Sequence, residues 1–318
     1  MMRRRRLLLG LYAALGLGAL LGGAHEARAA CTIDPCVGGG SASFDCDRDG
    51  YTDAQECAGL TTPAAGLAFP SCRVTPTAQP ACLDPAVSDL FVKFEKAANS
   101  AYTELGITDA SAFGLITQAT GGLPIRVHVL AANVVLPATP QPNAITSRQA
   151  ALVVREVRGA PSTTCPITAP LGAMNGVTST NGAGIAQIFT QRIIDHVSCV
   201  YASANQSATS AAATADKITM IRHTTSHETT HANRLAPDSV DRFGGNHYKT
   251  GTGCVMDQSS TYTTKNGVVI FATPLAYCGP DVAAVSAGET VLGRIQCEDT
   301  GNVLDGDTFT NTCLPARP

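Results

Sequence analysis

The chain has 318 residues, of which 44% are hydrophobic, 15% charged and 5% aromatic, with no Trp and a formal net charge of −3. That composition excludes a collagen and a disordered polyelectrolyte, and it offers no basic field with which to hold nucleic acid. With 30 Gly and 18 Pro the chain is loop-rich, and its 12 Cys point to crosslinks that supplement apolar burial.

Residues 1–29 read as an export signal peptide, with arginines at 3–6, an apolar run over 7–23 and Ala27-Arg28-Ala29 as a small-x-small cleavage signal. The run is too short and too Gly-rich for a membrane span, and no later stretch approaches the length a span needs. Cleavage after Ala29 removes five Arg and one Glu and leaves 17 basic and 24 acidic residues. The expected location is secreted, periplasmic or at the cell surface, with no membrane span in the mature chain. An even number of Cys in an exported chain reads as disulfides. Six lie between residues 31 and 82 and six between 165 and 313, so two separately crosslinked regions are expected, and the lack of any C-x-x-C excludes a zinc ribbon.

Residues 30–84 read as a small Cys-rich module with little apolar periodicity. Within it, Asp45-Cys46-Asp47-Arg48-Asp49-Gly50-Tyr51-Thr52-Asp53-Ala54-Gln55-Glu56 puts acidic residues at loop positions 1, 3, 5, 9 and 12 and Gly at 6. This is oxygen-ligand spacing for Ca²⁺: carboxylates from Asp45, Asp47, Asp49, Asp53 and Glu56, with the backbone carbonyl of Tyr51. Residues 38–43 supply no good entering helix. The loop resembles the calcium loops of thrombospondin type 3 and dockerin-type repeats in a single copy, and the resemblance implies a structural calcium.

Residues 85–318 read as a second domain of α+β class. Asp84-Pro85 is expected to open a helix with Leu90, Phe91, Phe94, Ala97, Ala98, Ala101 and Leu105 on its apolar face. Ile125, Val127 and Val129 alternate with Arg126 and His128 as in a strand, and 133–136 could prolong it. Residues 150–157 suit a strand or a helix, and 185–200 suit a helix or an edge strand. The Ala/Ser/Thr tract at 203–214 suits a surface loop or an exposed helix start.

The chemistry concentrates between residues 218 and 256. On a helix, His227 and His231 point the same way and can present two imidazole nitrogens to one Zn²⁺, while Glu228 lies one residue round, within reach of a zinc-activated water. His223 extends the stripe by one turn, with its ring roughly 6 Å along the axis from that of His227. Three successive turns cannot converge on one tetrahedral ion, so His223 is read as packing. His128 and His196 are read as structural histidines in apolar surroundings.

His227-Glu228-Thr229-Thr230-His231, followed by His247 and then by Met256 in Gly253-Cys254-Val255-Met256-Asp257, resembles the zincin metallopeptidases and, among them, the metzincins. In metzincins H-E-x-x-H is followed by a third His ligand and by a Met in a tight turn beneath the metal. The family places that His six residues after the second; here it stands 16 residues on, with Gly244-Gly245 to reverse the chain. Asp238, Asp241 and Glu289 are the rival third ligands.

The resemblance implies a zincin-like domain with a mixed sheet and an active-site helix above the cleft, the chain after Met256 forming the lower part. It also implies zinc hydrolysis of a protein or peptide substrate with Glu228 as general base. Tyr248 and Tyr262 are possible hydrogen-bond donors to the tetrahedral intermediate. A Cys254–Cys278 disulfide closing roughly 25 residues would add about 3 kcal/mol in the chain-entropy model and fix the floor of the zinc pocket. The competing readings are a zinc hydrolase of another substrate class and a non-catalytic calcium-binding, disulfide-rich surface or matrix protein with a vestigial zinc site. The presence of Glu228 favours the peptidase.

Overall fold

The structure, a computed structural model, describes residues 36–37, 46–47, 51–61, 68–75, 82–130, 152–162, 165, 176–178, 185–232, 253–256, 261–277, 282, 297–298 and 312–313. The expected signal peptide and the strand extension at 133–136 lie outside them. Helix α1 (Asp53–Ala58) and the small antiparallel pair β1 (Leu60–Thr61) and β2 (Ala68–Phe69) belong to the Cys-rich segment. Disulfides Cys36–Cys57 and Cys72–Cys82 lie within it, and Cys165–Cys199 lies in the later part of the chain.

Strand β3 (Asp89–Glu95) then leads through three one-turn helices, α2 (Ala101–Glu104), α3 (Asp109–Ala112) and α4 (Gly114–Thr117), to β4 (Arg126–Leu130). The helix expected from Asp84-Pro85 is therefore a strand over its first half. Asp89 and Phe91 bury one face of β3 while Val92 and Phe94 bury the other. A parallel strand buried on both faces reads as a continuous apolar run, which mimics a helix in sequence. Helix begins only at Ala101, where the Ser100 side chain accepts from the Tyr102 N–H.

The sheet is completed by β5 (Leu152–Glu156), β6 (Gly176–Thr178) and β7 (Ile185–Ile188), in the order β4-β3-β5-β7-β6. The first four of these run parallel, and β6 is antiparallel on the edge. The stretch 185–200 holds both expected elements, since β7 is followed directly by helix α5 (Thr190–Ser203). The tract 203–214 is likewise divided between a turn and the start of the long helix α6 (Ala211–Ala232), which packs on β7, β6 and α5. The hairpin β8 (Thr261–Lys265) and β9 (Val268–Ala272) follows, and β10 (Cys297–Glu298) pairs with β11 (Thr312–Cys313). Among the described residues no helix is long and apolar enough to cross a membrane.

The two faces of the sheet carry different covers. On one, Val92, Phe94, Val154, Ala186 and Ile188 form a core with residues from α2 to α6. Glu156 fixes two of those helices: its carboxylate accepts from the Ala101 N–H (2.8 Å) at the start of α2 and from the Thr190 hydroxyl (2.8 Å) at the start of α5. On the other face, Phe91 and Leu130 form a second core with Tyr51, Leu60, Phe69 and Leu83 of the Cys-rich segment. Phe69 stands edge-on to Phe91 at 5.1 Å and to His128 at 5.4 Å. His128 is not purely apolar in its contacts, because its Nε2 lies 2.6 Å from Asp89 Oδ1 with both side chains buried. Burial holds the Asp89 carboxyl above its ordinary range even though His128 and Arg126 pull it down.

Apolar burial on the second face implies that the Cys-rich segment melts with the sheet. Phe69→Ala should cost about 3–5 kcal/mol and lower the melting temperature of the whole domain in a single transition followed by circular dichroism. A transition left unchanged would mean that the segment is an independent appendage.

Candidate functional site

The sequence of α6 contains few apolar residues, yet its second half is buried: His223, Thr224, Thr225, Ser226, His227, Glu228, Thr229 and Thr230 are each at most 7% exposed. Ser210 starts the helix, its hydroxyl accepting from the Ala213 N–H and its carbonyl from the Thr214 N–H. Hydroxyls in the buried half bond back along the helix, Thr225 to the Ile221 carbonyl and Thr230 to the Ser226 carbonyl, both at 2.7 Å. These bonds satisfy polar groups that would otherwise be costly at such depth. The Tyr102 hydroxyl lies 2.6 Å from Thr225 Oγ1, and Arg222 Nε donates to the Ser111 carbonyl, so α2 and α3 hold the helix on one side.

On another side lies the segment after α6. Val255 and Met256 form a turn, both 0% exposed, and Gly253 precedes it at φ +83°. His227 Nδ1 lies 2.6 Å from the Val255 carbonyl oxygen. A carbonyl only accepts, so Nδ1 carries the proton, and neutral imidazole then keeps the lone pair on Nε2. His223 repeats this one turn earlier, its Nδ1 donating to the Pro274 carbonyl at 2.8 Å. The two rings stand 5.8 Å apart, close to the helical rise expected for residues four apart. The Val255 N–H in turn donates to the Ala276 carbonyl at 2.8 Å. Cys254, two residues before Met256, is disulfide-bonded, and its expected partner Cys278 lies outside the described residues.

The expected zinc residues are thus described unequally. His227 and Glu228 are buried side by side on α6. His231 is described only as helical backbone one turn further on, and His247, Asp238, Asp241, Glu289 and Tyr248 lie outside the described residues. Among the described residues no three His, Cys, Asp or Glu side chains group as a metal site. The donor chemistry at His227 fits zinc, because a ligating imidazole normally gives its other N–H to a carbonyl or carboxylate. Tyr262 is 45% exposed on β8, and its ring neighbours are His196 and Phe271. His196 is buried on α5, and burial alone lowers its pKa.

In the calcium-loop stretch, Asp45, Asp49 and Gly50 lie outside the described residues. Thr52 caps α1 in a capping box with Gln55, which sets Asp53 and Glu56 in the first helical turn. Asp47, Asp53 and Glu56 are 7%, 3% and 0% exposed. Asp53 Oδ1 accepts from the Cys46 N–H at 3.0 Å, closing the loop, and burial raises the Asp53 pKa. The Ser88 hydroxyl donates to the Asp47 carbonyl at 3.0 Å and so joins the loop to the residue before β3.

Sequence reasoning missed Tyr277, whose hydroxyl lies 2.6 Å from Thr230 Oγ1, and missed the Val255 and Pro274 carbonyls that orient the two histidines. A backbone acceptor leaves no side-chain signal; the Tyr next to Cys278 was the one visible hint. Comparison with known protein families, curated proteins and solved structures finds no match to the chain.

Proposed function

We propose that the chain is an exported zinc-dependent endopeptidase of metzincin-like design, with His227, His231 and His247 as zinc ligands, Glu228 as general base and Met256 in the turn beneath the metal. The observation that carries this reading is the 2.6 Å contact from His227 Nδ1 to the Val255 carbonyl, one residue before Met256. It leaves Nε2 as the coordinating atom and links the two parts of the motif across 28 residues of sequence. A mixed sheet beside the long helix that bears the motif is also the arrangement the resemblance implies. The Cys36–Cys57, Cys72–Cys82 and Cys165–Cys199 disulfides suit an oxidising compartment, as export implies.

Zinc, when bound, supplies a Lewis acid that polarises the scissile carbonyl and acidifies the attacking water. The Glu228 carboxylate takes the proton of that water and passes it to the leaving amine. His227 holds its Nδ1 proton on the Val255 carbonyl throughout, so its Nε2 lone pair stays in one direction.

The 45–56 loop is proposed to bind a structural calcium through Asp45, Asp47, Asp49, Asp53, Glu56 and the Tyr51 carbonyl. Its support is the burial of Asp47, Asp53 and Glu56, three carboxylates at the ligand positions of the loop, beside the start of α1.

Glu228→Gln should abolish hydrolysis of a peptide substrate while zinc stays bound, since the amide keeps the shape but cannot accept a proton. Equal turnover by the two proteins would return the chain to the non-catalytic reading. Millimolar Ca²⁺ should raise the melting temperature of the mature protein, and Asp47→Ala or Glu56→Ala should remove that gain. Indifference to calcium in calorimetric titration and in melting would dismiss the loop as a cation site.

A further inference from the structure

We propose that Tyr277 is a positioning residue for the zinc-binding turn of α6, acting through the strap formed by residues 274–277. The proposal rests on the peptidase reading and adds the group that keeps the helix in register with the Val255 carbonyl.

The four strap residues are bonded to three pieces of chain: α6, the 118–121 loop and the turn at Val255. The Pro274 carbonyl accepts from His223 Nδ1, and the Leu275 carbonyl accepts from Gln118 Nε2. The Ala276 carbonyl accepts from the Val255 N–H, and the Tyr277 N–H donates to the Gly121 carbonyl at 2.7 Å. Gly121 has φ +72°, and a Cβ there would come within 2.6 Å of the Ala276 Cβ, so the strap sits directly on that loop.

The Tyr277 side chain returns the strap to α6. Tyr277 is 5% exposed, with its hydroxyl 2.6 Å from Thr230 Oγ1 and 3.3 Å from the Ser226 carbonyl. Thr230 spends its one hydroxyl proton on the Ser226 carbonyl, so Tyr277 donates and Thr230 accepts. The bonds close a circuit: Tyr277 to Thr230 and Thr230 to Ser226 on the helix, His227 between them to Val255, Val255 to Ala276, and along the backbone to Tyr277. Ser226 and Thr230 flank His227, so the circuit fixes where that imidazole stands against its carbonyl acceptor. Loss of a direct outer-shell partner costs roughly 10–100-fold in metal affinity, and Tyr277 acts less directly, through Thr230 on the helix and through the backbone of Ala276, so the low end, roughly tenfold, is expected.

A second tyrosine provides the control. Tyr102 is 0% exposed and makes the same kind of bond to Thr225 Oγ1, whose proton goes to the Ile221 carbonyl. Thr225 lies five residues before Thr230, about 140° round the helix, on the side held by α2. Tyr102→Phe therefore removes an equivalent hydroxyl without touching the strap.

The test is Zn²⁺ competition with a chromophoric chelator on the full mature chain and its variants, with the visible spectrum of the Co²⁺-substituted protein as a second readout. Tyr277→Phe should weaken zinc roughly tenfold and shift the cobalt bands, while Tyr102→Phe changes neither. Thr230→Val, which breaks the same bond from the other end, should match Tyr277→Phe, and the double variant should be no worse than either. Parent-like affinity in both Tyr277→Phe and Thr230→Val, or equal weakening by Tyr102→Phe, would overturn the positioning role. A parent chain that binds no zinc would overturn the peptidase reading and this one with it.

Discussion

The hydrogen bond from His227 Nδ1 to the Val255 carbonyl joins the two halves of the proposed centre. One half is a helix that offers imidazole and carboxylate side chains, and the other is a turn that offers a backbone carbonyl. The bond chooses the tautomer, which decides which nitrogen faces a metal. It also sets the depth at which Met256 packs, because Val255 is held from both sides, by His227 at its oxygen and by Ala276 at its nitrogen. A helix so poor in apolar residues has little hydrophobic reason to be buried. Its burial depends on hydroxyl-to-carbonyl bonds along its own backbone and on tyrosine hydroxyls from two neighbouring segments.

The sheet makes that arrangement affordable by being covered on both faces. Helices fill one side, and Glu156 ties the first turns of α2 and α5 to the end of β5. The Cys-rich segment fills the other, where Tyr51, Phe69 and Leu83 close over Phe91 and Leu130. The loop proposed to hold calcium is therefore in mechanical contact with the five-stranded sheet: the Asp47 carbonyl is bonded to Ser88, and Tyr51 lies edge-on to Phe91 at 5.5 Å. Cation binding at such a loop stabilises the sheet by linkage, not merely the loop itself.

The sequence made some of this legible and hid the rest for physical reasons. The alternation of Val127 and Val129 with Arg126 and His128 identifies β4, although the polar face is the deeper one: His128 is buried against Asp89 and Leu130 lies under the Cys-rich segment, while Val127 and Val129 are half-buried. β3 was misread as helix because it is buried on both faces, which erases the period of two. The long helix is legible from 218 onward through the spacing of its histidines, whereas its start at Ala211 is one of two readings of the tract at 203–214, since a run of Ala, Ser and Thr suits a loop as well. On the long helix, the spacing of His223, His227 and Glu228 is readable in the sequence. The carbonyls that accept from the two imidazoles, Pro274 for His223 and Val255 for His227, are not, because every residue carries a carbonyl and only the fold selects which one is used.

Zinc K-edge X-ray absorption on the purified mature chain counts the imidazoles on the metal. A three-histidine centre gives one zinc per chain, with nearest neighbours at about 2.0–2.1 Å and the outer scattering of three imidazoles. A chain that retains no zinc, or a shell of two imidazoles and a carboxylate, would contradict it.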